Sequence, residues 1–136
     1  MKKMLHGSAP VLFVADLMRS LDFYCDVLGF NRPYLWGDPP SFAMPDREGY
    51  ILMLSLQNDP EKIRPKKDIW DVYFWVNDAK SLYESFCEKV AKITQERIYK
   101  ELYNNLEFIV EDSDGYTLAF GQGVDEEAYY KDNPAN

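Results

Sequence analysis

A duplicated pattern in the chain constrains its fold more than any other feature. The hexapeptide GYILML at 49–54 is echoed 66 residues later by GYTLAF at 115–120. A second echo, at an offset of 62, relates VLFVAD at 11–16 to YFWVND at 73–78, and an amphipathic stretch follows each copy. A repeat of this length indicates one supersecondary unit that occurs twice. We therefore expect two similar modules, with the functional site on the face left between them.

The bulk composition is typical of a soluble globular protein. The 136 residues are 46% hydrophobic and 28% charged, which suits a single domain with a sizeable core. No apolar run approaches the roughly 20 residues of a membrane span. Residues 1–7 also lack the long apolar segment of a signal peptide. We expect a cytoplasmic protein that does not associate with membranes.

The chain is acidic, with a formal net charge of −8. This charge argues against a nucleic-acid partner, because binding to phosphates requires clustered Lys and Arg side chains. It permits a cationic ligand, since an acidic field concentrates positive partners near the protein. Solubility alone is the simpler explanation of the same charge.

The first module, residues 8–57, is predicted to contain a strand, a helix and three further strands. Asp16 is a suitable N-cap, apolar residues such as Leu21 follow at helical spacing, and Gly29 closes the helix. The predicted strands are 9–15, 30–36, 42–44 and 50–57.

The second module, residues 70–123, repeats this order after a polar linker at 58–69. Asp78 caps a helix that carries Leu82, Phe86 and Val90, and Ile93 marks the furthest extent of the same apolar face. The sequence DSDG at 112–115 indicates a hairpin turn, because Asp-Gly accommodates a positive φ. The predicted strands are 70–77, 94–98, 105–111 and 115–122. We expect the acidic C-terminal tail, 124–136, to be loosely ordered, with a helical turn at 126–130 as the alternative.

Two cysteines, Cys25 and Cys87, lie within the predicted helices. We expect both to be buried, reduced thiols, and we disfavour a disulfide because no feature of the chain points to export.

Three segments resemble the vicinal-oxygen-chelate superfamily, which includes glyoxalase I, extradiol dioxygenases and bleomycin-resistance proteins. Residues 16–30 are similar to its signature D-x-x-x-S-x-x-F-Y-x-x-x-L-G-F. Residues 73–78 are similar to the first strand of its second module. The ending FIVEDSDG at 108–115 with FGQ at 120–122 is most similar to the bleomycin-resistance branch.

The resemblance covers residues 8–123 and implies an α+β fold. Two βαβββ modules, together one domain over 1–123, would form a curved mixed sheet around a cleft. Family members usually pair as homodimers, often with the cleft shared between the chains, so we expect a homodimer.

The resemblance also locates where metalloenzymes of the superfamily hold their metal. These positions correspond to Ala9, Met53, Asp71 and Ala119. Divalent metals need imidazole or carboxylate donors, which Ala and Met do not offer. The one histidine, His6, lies near the start of the chain, where we expect it to be solvated. We therefore predict no metal and no cofactor.

Asp71 is the acidic residue that we place at the cleft, and three roles are open to it. It could act as a general base if burial raised its pKa. It could instead be a counter-charge for a cationic ligand, or a carboxylate bonded to backbone at a strand start. We favour the counter-charge because the whole chain is acidic.

Strand alternation predicts which other side chains face the cleft. If Asp71 faces it, so do Tyr73 and Trp75, while Val72 and Phe74 pack under the helices. The predicted cleft also includes Ala9, Val11, Phe13, Ile51, Ser55, Thr117, Gly121 and Met44. The predicted ligand-binding residues are Trp36, Phe42, Met53, Asp71, Tyr73, Trp75 and Ala119. Aromatic walls can stack on planar or cationic groups, although core or dimer packing would use them equally well.

The leading hypothesis is a metal-free protein of the bleomycin-resistance type that sequesters a small aromatic or cationic molecule in the cleft. The alternative is an enzyme of the same superfamily, a lyase, isomerase or oxygenase, acting through Asp71 or an unrecognised metal site. A third interpretation is an interaction module with a vestigial cleft. The sequence does not identify the ligand.

Overall fold

The protein has an α+β fold built from a repeated unit. A computed structural model describes residues 2–134. The chain divides into two compact units, one through Arg64 and one from Pro65. This boundary falls within the predicted linker at 58–69. The arrangement of both units in one domain, around a shared cleft, stays a prediction.

The first unit contains a mixed four-stranded sheet and one helix. Its elements are β1 (Val11–Val14), α1 (Leu17–Asp22), a π-helical turn (Phe23–Val27), β2 (Leu35–Trp36), β3 (Phe42–Ala43), β4 (Asp46–Arg47), β5 (Tyr50–Ile51), β6 (Met53–Leu56) and a 3₁₀ turn (Pro60–Lys62). The sheet order is β1-β6-β3-β2, and β4 and β5 form a separate hairpin. Strands β1 and β6 run parallel, with Val11 opposite Met53. Leu12 and Leu54 on the other face are buried, so the core lies on the side where α1 contacts β6.

The second unit repeats this topology. Its elements are β7 (Val72–Trp75), α2 (Ala79–Glu88), β8 (Lys92–Lys100), β9 (Asn105–Glu111), β10 (Thr117–Gly123) and α3 (Glu126–Asp132). The sheet order is β7-β10-β9-β8, and β7 runs parallel to β10 with Tyr73 opposite Ala119. The offsets of 62 and 66 that relate the repeats take Val11 to Tyr73 and Met53 to Ala119. The same register therefore recurs in both copies, which confirms the duplicated βαβββ module.

Stacked aromatic rings form the core of the second unit. Phe120 stacks on Phe74 at 5.0 Å and on Phe108 at 5.2 Å between ring centroids. Phe86 of α2 meets Phe120 edge-on at 5.1 Å. Large buried rings of this kind contribute both apolar area and about 0.5–1.5 kcal/mol per pair beyond it. Alternation along β7 and β10 thus places Phe74 and Phe120 toward α2 and leaves the opposite sheet face for other residues.

The helix caps and the glycine turn that the sequence indicates form as predicted. The Oδ1 of Asp16 accepts a hydrogen bond from the Arg19 N–H at 3.1 Å, and that of Asp78 accepts one from the Ser81 N–H at 3.0 Å. Such bonds satisfy the free amides at a helix start. In the turn between β9 and β10, Gly115 adopts φ +90°, a left-handed conformation that glycine adopts readily.

The first helix ends before Gly29 as predicted but changes its winding on the way, and the second ends earlier than predicted. The first widens after Asp22 into a π-helical turn before Gly29. The second ends at Glu88, and Val90 is exposed with φ +61° instead of continuing the apolar face. Ile93 belongs to β8, where it pairs with Val110. Cross-strand pairing therefore outweighs the helical periodicity that the sequence shows in this segment.

The tail is more ordered than expected, and β8, the second strand of the second unit, is longer than the predicted range 94–98. Tyr129 of α3 stacks on Tyr99 of β8, with 4.5 Å between centroids and 16° between ring planes. The Tyr130 hydroxyl also donates to Glu101 at 2.9 Å. Packing against α3 extends the ordered part of β8 to Lys100, where the sequence indicated a loop.

Both cysteines are free, as predicted, but their burial differs from the prediction. Cys25 is half-buried and Cys87 is exposed. Because Phe86 points into the core, the next helical residue is rotated by about 100° away from it. Among residues 2–134, no helix combines the length and the apolar composition that a bilayer-crossing segment requires.

Candidate functional site: an aromatic pocket in the second unit

An aromatic pocket lies on the face of the second sheet opposite α2. Its volume is about 350 Å³, and its lining residues are Trp70, Tyr73, Trp75, Tyr103 and Asn105. Alternation along β7 directs Tyr73 and Trp75 to this face, since Val72 and Phe74 occupy the other. Trp70 precedes β7, and Tyr103 lies in the turn between β8 and β9.

The four aromatic rings are inclined to one another. Tyr73 lies 5.0 Å from Trp70 and 5.3 Å from Trp75 between ring centroids, with interplanar angles of 62° and 53°. Trp70 and Tyr103 are 6.3 Å apart at 66°. Inclined pairs leave part of each ring face uncovered, so the faces can receive a ligand. Trp75 is 79% exposed and forms the open rim.

A buried polar network supports the pocket from below. The Asn105 Nδ2 donates to the Tyr73 hydroxyl at 2.7 Å. The Tyr103 hydroxyl donates to Oε1 of Glu107 at 2.7 Å, and Gln95 Nε2 donates to Oε2 at 3.3 Å. Glu107 is only 1% exposed. These bonds fix the two phenols in place and therefore shape the pocket.

The surroundings keep both pocket phenols protonated. Burial raises the pKa of Tyr73, against the opposing effect of its hydrogen bond from Asn105. Burial also raises the pKa of Tyr103, and its hydrogen bond to Glu107 and the nearby carboxylate charge raise it further. Neither hydroxyl is therefore activated as a base near neutral pH.

The structure brings together some of the predicted ligand-binding residues. Tyr73 and Trp75 line the pocket, and the fully buried Ala119 lies opposite Tyr73 in the sheet. In the first unit, Trp36 and Phe42 contact each other, with ring centroids 5.7 Å apart.

The predicted ligand-binding residues of the first unit, Trp36, Phe42 and Met53, lie on the sheet face opposite the core. Phe42 stands opposite Ser55, and Met53 stands opposite the exposed Val11. The ligand-binding roles of Trp36, Phe42 and Met53 stay predictions.

Asp71 makes hydrogen bonds that favour one of its three possible roles. Its Oδ1 accepts from the Lys66 N–H and its Oδ2 from the Thr117 N–H, both at 2.9 Å. Each carboxylate oxygen is thus bonded to backbone, which links the segment before β7 to the start of β10. This geometry supports the structural role, a backbone-bonded Asp at a strand start.

The sequence reasoning missed Trp70, Tyr103, Asn105 and Glu107. A signal for two of them was present in β9, whose sequence NLEFIVE places polar Asn105 and Glu107 two apart among apolar residues. Both are nonetheless buried, at 8% and 1% exposure. Buried polar residues on the pocket-facing side of a strand indicate a site.

The positions that hold metal in related metalloenzymes do not fit a divalent ion. Ala9, Met53 and Ala119 offer no hard donor, and Asp71 already bonds two backbone amides. Within residues 2–134, no three His, Cys, Asp or Glu side chains are grouped so that they could hold a metal ion.

A duplicated βαβββ unit with parallel first and last strands defines the vicinal-oxygen-chelate class of proteins. Residues 7–120 match the profile of the Glyoxalase/Bleomycin resistance protein/Dioxygenase superfamily. The chain belongs to that superfamily. No curated protein sequence matches the chain.

Solved structures with the same fold include two proteins that are described as binding bleomycin or an antibiotic. The bleomycin-binding protein of bleomycin-producing Streptomyces verticillus, complexed with copper(II)-bleomycin, is 25% identical, with TM-score 0.71 over 91% of this chain and 100% of that one. TioX from Micromonospora sp. ML1 is 22% identical, with TM-score 0.69 over 87% and 100%. TnmS3, an antibiotic binding protein from Streptomyces sp. CB03234, is 15% identical, with TM-score 0.71 over 91% and 100%.

Proposed function

We propose that this protein binds a small aromatic or cationic molecule without metal and without covalent chemistry. The observation that carries the proposal is the pocket formed by Trp70, Tyr73, Trp75 and Tyr103. Its volume of about 350 Å³ lies at the lower end of the range typical of small-molecule sites. Inclined aromatic walls with one amide, Asn105, suit recognition by stacking.

The similar structures support the class of function that we propose, the binding of a small molecule. Two of them are described as binding bleomycin or an antibiotic, and their fold is that of this chain. Sequestration of such a molecule requires affinity alone. The pocket residues agree with this requirement, because their side chains are aromatic or amide and the pKa values of Tyr73 and Tyr103 are raised. The enzymatic alternative through Asp71 has less support, since both its oxygens accept backbone hydrogen bonds.

Ligand screening with two matched variants tests the proposal. A panel of planar aromatic compounds, neutral and cationic, is screened by thermal shift, and binders are measured by calorimetry. Trp75→Ala removes the pocket rim, whereas Tyr34→Ala removes an aromatic side chain that is 85% exposed in the first unit.

We expect Trp75→Ala to weaken the binders by about tenfold, the value of a lost stacking contact, and Tyr34→Ala to leave them unchanged. No binder in the panel, or binders indifferent to Trp75→Ala, would overturn the proposal.

A further inference from the structure

A buried carboxyl group lies behind the aromatic pocket without a cation of its own. Glu107 is 1% exposed, and its two oxygens accept hydrogen bonds from Tyr103 and Gln95, which are neutral donors. In the part of the chain that the structure describes, no Lys, Arg or His forms an ion pair with it. Lys100, which stands opposite Asn105 in the sheet, forms no such pair either.

A buried carboxylate of this kind is costly unless a positive charge compensates it. Neutral hydrogen bonds recover only part of the lost solvation, and most buried charges in proteins are paired with an opposite charge. Placing Glu107 beneath a pocket therefore makes that pocket favourable for a positive group.

The hydrogen bond from Tyr103 directs this charge toward the pocket. A phenol that donates to a carboxylate becomes richer in electrons, because hydrogen-bonded groups polarise one another. An electron-rich ring face attracts cations more strongly. Tyr103 lines the pocket and contacts Trp70, which in turn contacts Tyr73, so the charge of Glu107 acts beneath a set of aromatic faces.

We propose that the pocket selects a methylated or quaternary ammonium group, held against the rings of Trp70, Tyr73 and Tyr103, with Glu107 as the counter-charge behind them. This inference rests on the proposed binding function and names its ligand class. Because Glu107 is shielded by the phenols, a ligand meets ring faces and not the carboxylate. The one amide of the pocket, Asn105, donates its Nδ2 to Tyr73, so its single oxygen is the amide acceptor that remains for the several N–H donors of an ammonium. A primary ammonium would leave its N–H donors largely unmatched there, whereas methyl groups need no hydrogen-bond acceptor.

Two probes of equal shape separate charge from aromatic contact. 4-Hydroxyphenyltrimethylammonium and 4-tert-butylphenol differ in the charged nitrogen alone, and calorimetry measures both on the full chain. The wild type is expected to bind the cation about tenfold more tightly than the neutral probe, a typical cation–π preference.

Glu107→Gln should bring the two affinities close together. The control variant is Glu111→Gln, which removes a carboxylate from the same strand that is paired with Lys92 at 2.8 Å. It should keep the tenfold preference for the cation, because the charge it removes lies outside the network beneath the pocket.

Salt dependence of the wild type gives a second readout that needs no variant. A preference caused by the net charge of −8 acts at long range and collapses in high salt. A preference caused by buried Glu107 persists, because buried charges are screened much less.

Equal affinities of the wild type for both probes, loss of the preference in high salt, or an unchanged preference in Glu107→Gln would each overturn the inference. None of these results would affect the proposed function. That function fails separately, if Trp75→Ala changes neither the binding of these probes nor that of the aromatic panel.

Discussion

The side chain of Tyr73 lies across the backbone of Gly121. A Cβ added at Gly121 would overlap the Tyr73 hydroxyl and lie 2.7 Å from its Cζ, a separation that real Cβ atoms do not show. Glycine at this position therefore allows Tyr73 to reach the Asn105 amide, its hydrogen-bond partner in the pocket. Gly121 also stands opposite Trp75 in the sheet, next to the strand that carries two of the pocket's aromatic residues.

Gly121→Ala should displace Tyr73 and weaken ligand binding. Overpacking of this kind typically costs about 1–3 kcal/mol of stability. The loss of Tyr73 from its position should reduce affinity for aromatic probes in calorimetry. Gly123→Ala is the matched control on the same strand, because a Cβ there lies 3.7 Å from Asn105, an ordinary contact. Equal affinities for the two variants would contradict the role of Gly121.

Asp71→Asn separates the structural role of this residue from a ligand-binding role. We expect a loss of stability of about 1 kcal/mol in chemical unfolding, because one of its two backbone hydrogen bonds disappears. The affinities for the ammonium probe and for 4-tert-butylphenol should stay unchanged. A selective loss for the cation would instead establish Asp71 as the counter-charge.

Alkaline pH should destabilise the fold through Tyr103. Its pKa is raised in the folded state, so above a pH of about 10 the unfolded chain releases this proton first. Stability from Tyr103 is therefore fully present below that pH and falls as the pH rises. As the pH rises from neutral to strongly alkaline, the unfolding midpoint of Tyr103→Phe should fall less steeply than that of the wild type. Tyr34→Phe, at an exposed site, should follow the wild type.

The purified protein should carry no stoichiometric divalent metal. The reason is the residue types at the superfamily's ligand positions, where Ala9, Met53 and Ala119 offer no hard donor. Elemental analysis after dialysis against a chelator measures the metal content. One Zn, Fe, Ni or Mn ion per chain that survives the dialysis would refute this prediction.

We expect a homodimer in solution. Val11 and Trp36, on the open face of the first sheet, are 58% and 48% exposed, and β8 forms a nine-residue edge of the second sheet. Exposed apolar residues and free strand edges are features that soluble proteins usually cover by association. Light scattering at tens of micromolar protein should report twice the chain mass of 15.9 kDa. The monomer mass under these conditions would exclude a stable dimer.

The sequence predicted the parts of the fold that depend on local chemistry. Asp16 and Asp78 cap helices, Gly115 forms its turn, and alternation places Tyr73 and Trp75 on one face of β7. Each of these features depends on residues within one turn or one strand. Patterns of such short range are therefore readable without knowledge of the partner elements.

The sequence did not reveal features that depend on contacts between distant segments. Tyr103 reaches the pocket because β8 extends to Lys100 and so places the following turn beside Trp70. That extension reflects the packing of Tyr99 on Tyr129, thirty positions later in the chain. The alternating polar residues of β9 hint at Glu107, but its hydrogen bonds from Tyr103 and Gln95 depend on how β8 and the following turn pack beside it.

The two faces of the second sheet differ in what they carry: one holds the aromatic core and the other the aromatic pocket. Phe74 and Phe120 pack with α2 on one face, while Tyr73 and Trp75 alternate with them and line the pocket on the other. If the pocket binds a ligand as we propose, substitutions at Trp75, which is 79% exposed, would change ligand choice without opening a cavity in the core. On that proposal, single mutations on the pocket face would alter the binding preference while folding remains intact.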